Sequence, residues 1–239
     1  MTYTIIFLHG ALLGGWIWQG VIEDFKKGGH EVIAPNLAGR DGKDLDRITL
    51  HTHVSLIQDL VEHAKNPVVV VAHSMSGVVA AQLSEEISSK IKKVIYVSAY
   101  LPQNGQSLED VYEKYFGSLT YDTQSMSIKL GKQLSVDDLI AASFDDCFPQ
   151  DQSLVRNNAV SEPIKPSLDK LKLSKEKFGT VKKAYIRPGK DKVIPPELQD
   201  QMIGSHGIEE VHEINTGHAP FCAKKDEFVR LIKKSMENL

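Results

Sequence analysis

Two cysteines in 239 residues, Cys147 and Cys222, are too few for a disulfide framework and show no C-x-x-C spacing, so both read as free thiols. Basic charge is not in excess either. With 28 Lys and Arg against 31 Asp and Glu, the formal net charge is -3, which gives no electrostatic footprint for nucleic acid. No apolar run approaches the roughly 18 residues of a membrane span. The opening "MTYTIIFLHG" has no basic segment ahead of its short apolar stretch, so no signal peptide is expected. A cytoplasmic protein with no membrane partner is the resulting expectation. Neither the dinucleotide fingerprint G-x-G-x-x-G nor a P-loop occurs, which argues against a nucleotide cofactor. His51 and His53 stand two apart, a spacing that points them to different sides of a helix, so they read as surface or capping residues and no metal is expected. The chain also lacks internal repeats, low-complexity tracts and linkers.

What the chain has is alternation. β-Branched apolar runs at 3–8, 31–35, 68–72, 93–98, 181–188 and 210–214 predict strands. Helical periodicity predicts helices from Trp16 to Lys27, Thr52 to Ala64, Gly77 to Ile87, Pro196 to Ile203 and Lys224 to Met236. Strands that alternate with helices mean a mostly parallel six-stranded sheet with helices on both faces. The alternation breaks between Leu101 and Gly179, where short helical pieces such as "SLEDVYEKYFG" and "VDDLIAASF" are punctuated by Gly, Pro, Ser and Asp. This segment reads as an insertion over the carboxyl edge of the sheet. The expected organisation is a core made of two stretches, residues 1–102 and 181–239, with a helical cap, 103–180, inserted between them.

Ligands of open parallel sheets bind beyond the carboxyl ends of the strands, and three such ends carry chemistry. Ser74, in "VVVVAHSMSGVV", sits where a buried strand turns into a helix. Ala72 and Ser76, two residues to either side, are small enough for such a turn. Ser74 is therefore either a nucleophile raised on a strained turn or a helix N-cap. Asp191 follows the fifth predicted strand and His218 the sixth. A serine hydroxyl needs an imidazole to take its proton, and that imidazole needs a carboxylate to fix its tautomer. All three groups are present, in the order Ser, Asp, His. An oxyanion would require two backbone N–H donors. Met75, after the serine, supplies one, and Ala11 in "HGALLGGW" supplies the other, with Gly10, Gly14 and Gly15 letting that backbone approach a substrate. Gly10, Leu12 and His73 are the expected pocket residues.

These motifs resemble those of the plant methylesterase and hydroxynitrile lyase branch of the α/β-hydrolases, with its small bacterial esterase relatives. "LHGALLGGWIWQ", "VAHSMSGV", "KFGTVKK", "KDKVIPPELQ" and "TGHAP" correspond to the branch's opening, elbow, strand entry, acid loop and histidine loop, and the resemblance covers nearly the whole chain. It implies an α/β-hydrolase fold with a helical cap, a triad of Ser74, Asp191 and His218, and oxyanion donors at Ala11 and Met75. The expected activity is serine carboxylic-ester hydrolysis of small to medium esters without a cofactor. Two alternatives stay open: a hydroxynitrile lyase using the same triad, and a catalytically weak small-ligand receptor. The plant lyases have a lysine directly after the histidine and a threonine directly after the first-strand position, where this chain has Ala219 and Gly10. A homodimer also stays open.

Overall fold

The computed structural model of the chain describes residues 1–237 and 239. Its strands are β1 (Thr4–Leu8), β2 (Glu31–Ile33), β3 (Val68–His73), β4 (Ile91–Val97), β5 (Ser127–Ile128), β6 (Glu162–Pro163), β7 (Lys182–Pro188) and β8 (Glu210–Ile214). The α-helices are α1 (Gln19–Lys26), α2 (Leu50–Glu62), α3 (Ser76–Ile87), α4 (Leu108–Phe116), α5 (Val136–Ser143), α6 (Pro149–Asn158), α7 (Lys165–Leu168), α8 (Pro196–Ser205), α9 (Pro220–Ala223) and α10 (Lys225–Met236).

Six strands form one sheet in the order β2-β1-β3-β4-β7-β8. Every pairing in it is parallel. The apolar runs demand this arrangement, because a strand that is apolar at every position has no face to offer water. All six residues of β3 are buried. Alternate residues feed two cores. Ile6, Leu8, Val68 and Val70 pack with α2, α3 and α8 on one face, and Ile5, Phe7, Val69 and Val71 pack with α1 and α10 on the other. The sheet runs one way from β1 to β2 and the other way from β1 to β3. The loops after β1 and β3 therefore diverge and leave a crevice at their carboxyl ends.

Helix α2 corrects one expectation. His53 shares a face with Leu50, Val54, Ile57 and Val61, so it is buried. Its Nε2 lies 3.3 Å from the Ala38 carbonyl, and burial lowers its pKa. His51, on another side of the helix, is exposed.

Between β4 and β7 the chain builds α4 to α7 and an antiparallel ribbon in which Ser127 pairs with Pro163 and Ile128 with Glu162. Helices α4 and α5 lie where their periodicity predicts. Their first turns are set by Ser107 and Ser135, whose hydroxyls accept from the amides of Asp110 and Asp138. Helices α6 and α7 and the ribbon have no counterpart in the sequence reading. They are short, and α6 is largely polar, so they show little apolar periodicity. Among the described residues no helix is long and apolar enough to cross a membrane.

Candidate active site

Ser74 has φ +55°, a left-handed conformation that a residue with a Cβ adopts only when its surroundings hold it there. Its N–H donates to the Val97 carbonyl at 3.2 Å, and its own carbonyl accepts from the amides of Gly77 and Tyr100, both at 3.1 Å. The bend is thus tied to the neighbouring strand end. Ser74 does not cap α3. The residue preceding that helix is Met75, and no side chain caps it. Ala72 and Ser76 are fully buried, but the tightest approach falls one residue later. A Cβ on Gly77 would come within 2.1 Å of the Tyr100 carbonyl oxygen.

The structure brings the three strand-end residues together. His218 Nε2 lies 2.9 Å from Ser74 Oγ. On its other edge, His218 Nδ1 lies 2.9 Å and 3.1 Å from the two carboxylate oxygens of Asp191. With Nδ1–H donating to the carboxylate, Nε2 is left as the acceptor facing the serine hydroxyl. Asp191 is pinned in turn, since its Oδ1 accepts from the amides of Val193 and Ile194 at 2.8 and 2.9 Å. Burial alone would push its carboxyl pKa up. The charge and hydrogen bond of His218, with the bonds from Ser98 and the Ile194 amide, outweigh this and bring it below the usual carboxylate range.

Ser98 is a residue that sequence reading misses. It directly follows β4, has φ +43° and is fully buried. Its hydroxyl donates to Asp191 Oδ2, and its oxygen lies 2.8 Å from His218 Nδ1. By its apolar pattern "KVIYVS" reads as strand to its last residue. The rule that residues just past parallel strands merit inspection finds it.

His73 belongs to the cavity floor, and His9 holds the loop beside it. His73 Nε2 lies 2.9 Å from the His218 carbonyl oxygen, and its ring packs edge-on against Trp18 and Phe221. Burial foremost, then the charge of His218, holds its pKa well below the ordinary histidine value, so it stays neutral. His9, also missed, accepts from the Leu37 amide through Nε2 at 3.0 Å, which leaves Nδ1 to donate to the Gly10 carbonyl at 2.8 Å. Burial, with Arg40 nearby, lowers its pKa to about 3.

Glycine spacing in the loop after β1 serves packing more than substrate approach. A Cβ on Gly15 would meet the Ala34 carbonyl at 2.1 Å, and one on Gly14 would meet Trp16 and Asn36. At Gly10 a Cβ would lie 2.9 Å from His73 Nδ1 and 3.0 Å from Ser74 Cβ, so this loop sits directly on the serine turn. Ala11 and Met75 flank Ser74 in the cavity wall, and among the described residues neither amide donates to a protein acceptor. Leu12 has φ +66°. Both of its backbone groups are bonded to the chain returning from α6: its N–H to Glu162 Oε2 at 2.6 Å and its carbonyl to the Val160 amide at 2.9 Å.

Above these residues lies a cavity of about 480 Å³. Gly10, Ala11, Leu12, His73, Ser74, Met75 and His218 form its base, and Leu108, Tyr112, Phe116, Leu134, Leu139 and Phe144 stand among its upper walls. No lysine or arginine lines it among the described residues. Position 219, beside the histidine, holds a fully buried alanine. Lys224 and Lys225 turn away, with their Nζ atoms 3.2 Å from Glu227 and 2.9 Å from Asp24. Cys147 and Cys222 are buried free thiols near the histidine loop, and Asp191 is not part of the cavity wall. Among the described residues no group of three His, Cys, Asp or Glu could hold a metal ion.

Known proteins resemble this chain in sequence and fold. Residues 5–231 match the sequence pattern of the alpha/beta hydrolase family. Methyl jasmonate esterase 1 of Vitis vinifera is 28% identical over 253 residues, covering 98% of this chain and 96% of that protein. Polyneuridine aldehyde esterase of Rauvolfia serpentina is 30% identical over 234 residues, covering 87% of this chain and 86% of that protein. The crystal structure of polyneuridine aldehyde esterase superposes with a TM-score of 0.84 at 25% identity, over 98% of this chain and 100% of that one. A pyrethroid hydrolase from Sphingobium faniae shares the fold, with a TM-score of 0.83 at 19% identity over 98% of this chain and 97% of that one.

Proposed function

This chain belongs to the alpha/beta hydrolase family and is a serine esterase close to the plant methylesterases, and from that premise we propose that it hydrolyses neutral, apolar esters of small alcohols through an acyl-enzyme on Ser74. The observation that carries this reading is the 2.9 Å approach of Ser74 Oγ to His218 Nε2 at the base of an apolar cavity. His218 takes the hydroxyl proton as Oγ attacks the ester carbonyl, and Asp191 holds the imidazolium that forms. The negative charge that develops on the carbonyl oxygen is met by the amides of Ala11 and Met75, the second of which lies at the positive end of α3. His218 then returns the proton to the leaving alcohol, and a water activated by the same imidazole releases the acid.

Substrate class follows from the walls. A cavity of about 480 Å³ suits a drug-sized apolar acid part. The absence of lysine and arginine from its described lining gives no counter-charge for a substrate carboxylate. Relatives named for methyl esters support a small alcohol. We assign the substrate-defining cap to residues 103–180, since most of the upper wall comes from there. A cytoplasmic location and a homodimer belong to the same proposal, to be tested by fractionation and by light scattering in solution.

Cyanohydrin cleavage has less support. The residue after His218 is apolar, the nearby lysines are paired elsewhere, and Gly10 has no room for a hydroxyl-bearing side chain. A fluorophosphonate probe tests the main reading. It should add one label per chain, on Ser74, and mass spectrometry should find none on Ser74→Ala. Equal labelling of that variant would remove Ser74 as nucleophile, and no labelling of the wild type would favour an inert receptor.

A further inference from the structure

Far from the triad in sequence, a buried ion pair ties the cap to the oxyanion loop. We propose that Glu162 and Arg40 are positioning residues, which hold the Ala11 amide in its catalytic orientation by clamping Leu12. The inference rests on the esterase reading above and adds residues that neither the triad nor its flanking amides contain.

Leu12 has φ +66°, and a residue with a branched side chain relaxes from that region unless it is restrained. The restraint is specific. Glu162 Oε2 accepts the Leu12 N–H at 2.6 Å, although the two residues lie 150 positions apart. Arg40 Nη1 lies 2.8 Å from the same carboxylate oxygen and donates to the Leu13 carbonyl at 2.8 Å. The Val160 amide holds the Leu12 carbonyl at 2.9 Å. Glu162, the Val160 amide and Arg40 Nη1 thus hold three successive peptide groups, those joining residues 11 to 12, 12 to 13 and 13 to 14.

Peptide planarity transmits this restraint to the reacting centre. The Ala11 N–H shares a plane with the Gly10 carbonyl, which His9 Nδ1 anchors at 2.8 Å. The next plane, joining Ala11 to Leu12, is anchored by Glu162. With both planes fixed, the Ala11 backbone between them cannot rotate, and its N–H keeps one direction. Releasing Glu162 would free the second plane and let Leu12 leave its left-handed conformation, so that the Ala11 amide would keep only the His9 anchor on its own plane and lose its fixed direction toward the carbonyl oxygen of the substrate.

Stability alone gives a poor account of the pair. Its side chains are only 8% and 2% exposed. Buried ion pairs are often no more stabilising than apolar groups of the same shape, because desolvation offsets their attraction. Here Arg40 Nε and Nη2 and Glu162 Oε1 are buried without a protein partner among the described residues, which weakens the case further. Glu162 also lies in the cavity wall, so the substrate-binding cap and the oxyanion loop meet at this one carboxylate.

Two ligands separate positioning from general damage. A trifluoromethyl ketone is attacked by Ser74 and places an oxyanion against Ala11 and Met75, whereas the matching methyl ketone only fills the cavity. For Glu162→Ala, we expect kcat and trifluoromethyl ketone affinity to fall together by about 10²-fold, as when an oxyanion donor is lost. KM and methyl ketone affinity should stay within about threefold of wild type. Glu162→Gln, whose amide oxygen can still accept the Leu12 N–H, should fall about tenfold on the same two readouts, and it serves as the test if the alanine variant does not fold. Unchanged kcat in a folded Glu162→Gln or Glu162→Ala, or equal loss of both ketones, would overturn the proposal while leaving the esterase reading intact. A wild-type protein that does not react with the trifluoromethyl ketone would instead overturn the esterase reading itself.

Discussion

The ends of β3 and β4 each present a serine to the same imidazole, from opposite edges. Ser74 and Ser98 both have positive φ, at +55° and +43°, and both are buried. Each strand end is tied to its neighbour, Ser74 N–H to Val97 and Ser98 N–H to Ile186. Their hydroxyls differ in what they meet. Ser74 Oγ faces Nε2 and the cavity, while Ser98 Oγ faces Nδ1 and Asp191 and lies outside the cavity wall. Backbone strain and proximity to histidine therefore do not define a nucleophile. The ring nitrogen that is free to accept a proton, and space for a carbonyl carbon, decide the role.

The largest effect should come from the Ser74 side of this pair. Ser74→Ala and His218→Ala are each expected to lower kcat by about 10³-fold or more, to about 10⁶ at the upper end. The double variant should lose little beyond either single change, because the two groups act as one proton-transfer unit. Losses that multiply, measured with one ester at saturation, would break the assignment of Ser74 to Nε2.

Ser98→Ala should be milder and should carry a pH signature. Removing one hydrogen bond to a charged group corresponds to about 1.5 kcal/mol or more, tenfold or somewhat more in kcat. That bond also helps to hold the Asp191 carboxyl below its usual range. A carboxyl lowered by folding adds stability above its unfolded pKa, and this contribution is lost as pH falls through the folded value. Without Ser98 the folded value rises toward the unfolded one, so the variant should gain less stability from Asp191 at neutral pH, begin to lose it at the same pH as wild type and finish losing it at a higher pH on acidification. Urea melts of wild type and Ser98→Ala across the acid range measure this directly. A variant with wild-type kcat and an unshifted acid limb would reduce Ser98 to packing.

How far the sequence can foresee this arrangement depends on the range of the contacts. Parallel strands buried on both faces write themselves as continuous apolar runs, so the six-stranded sheet and the residues just beyond β3, β7 and β8 are legible. Ser98 and His9 are hidden for a local reason: each abuts the end of an apolar run and reads as part of the strand or its turn. Glu162 and Arg40 are hidden for a global one. Their partners are reached only after the cap folds back, and a short mixed stretch such as "AVSEPIK" has no period to mark it. The same lack of periodicity conceals the ribbon of β5 and β6. His53 fails in the opposite sense. Its spacing relative to Leu50, Val54 and Ile57 places it on the inward face of α2, and that periodicity outweighs the polar character that suggests a surface position.

The smallest effect should come from the thiols, which bound the comparison of the two serines from outside. Like Ser98, Cys147 and Cys222 are buried near the histidine loop, and a thiol is intrinsically the better nucleophile once it ionises. Ionisation is what the site denies to Cys147. Hydrogen bonding with Cys222, followed by burial, pushes the Cys147 thiol far up from its ordinary value. Its sulfur lies 3.8 Å from the Ala219 carbonyl oxygen, an acceptor that favours the protonated form. Neither sulfur belongs to the cavity wall, so neither can reach a bound carbonyl carbon. The Cys147→Ser, Cys222→Ser variant is therefore expected to keep kcat within about twofold of wild type, since only buried packing changes. Its stability should fall modestly, as hydroxyls replace sulfur in a largely apolar setting, by about 1–2 kcal/mol. Titration with the fluorophosphonate separates the two consequences, because it counts competent sites independently of how many molecules have unfolded. A folded double variant that takes up a full equivalent of label yet turns over ester at less than about a hundredth of the wild-type rate would place a thiol in the deacylation step and undo the division of labour between the two serines.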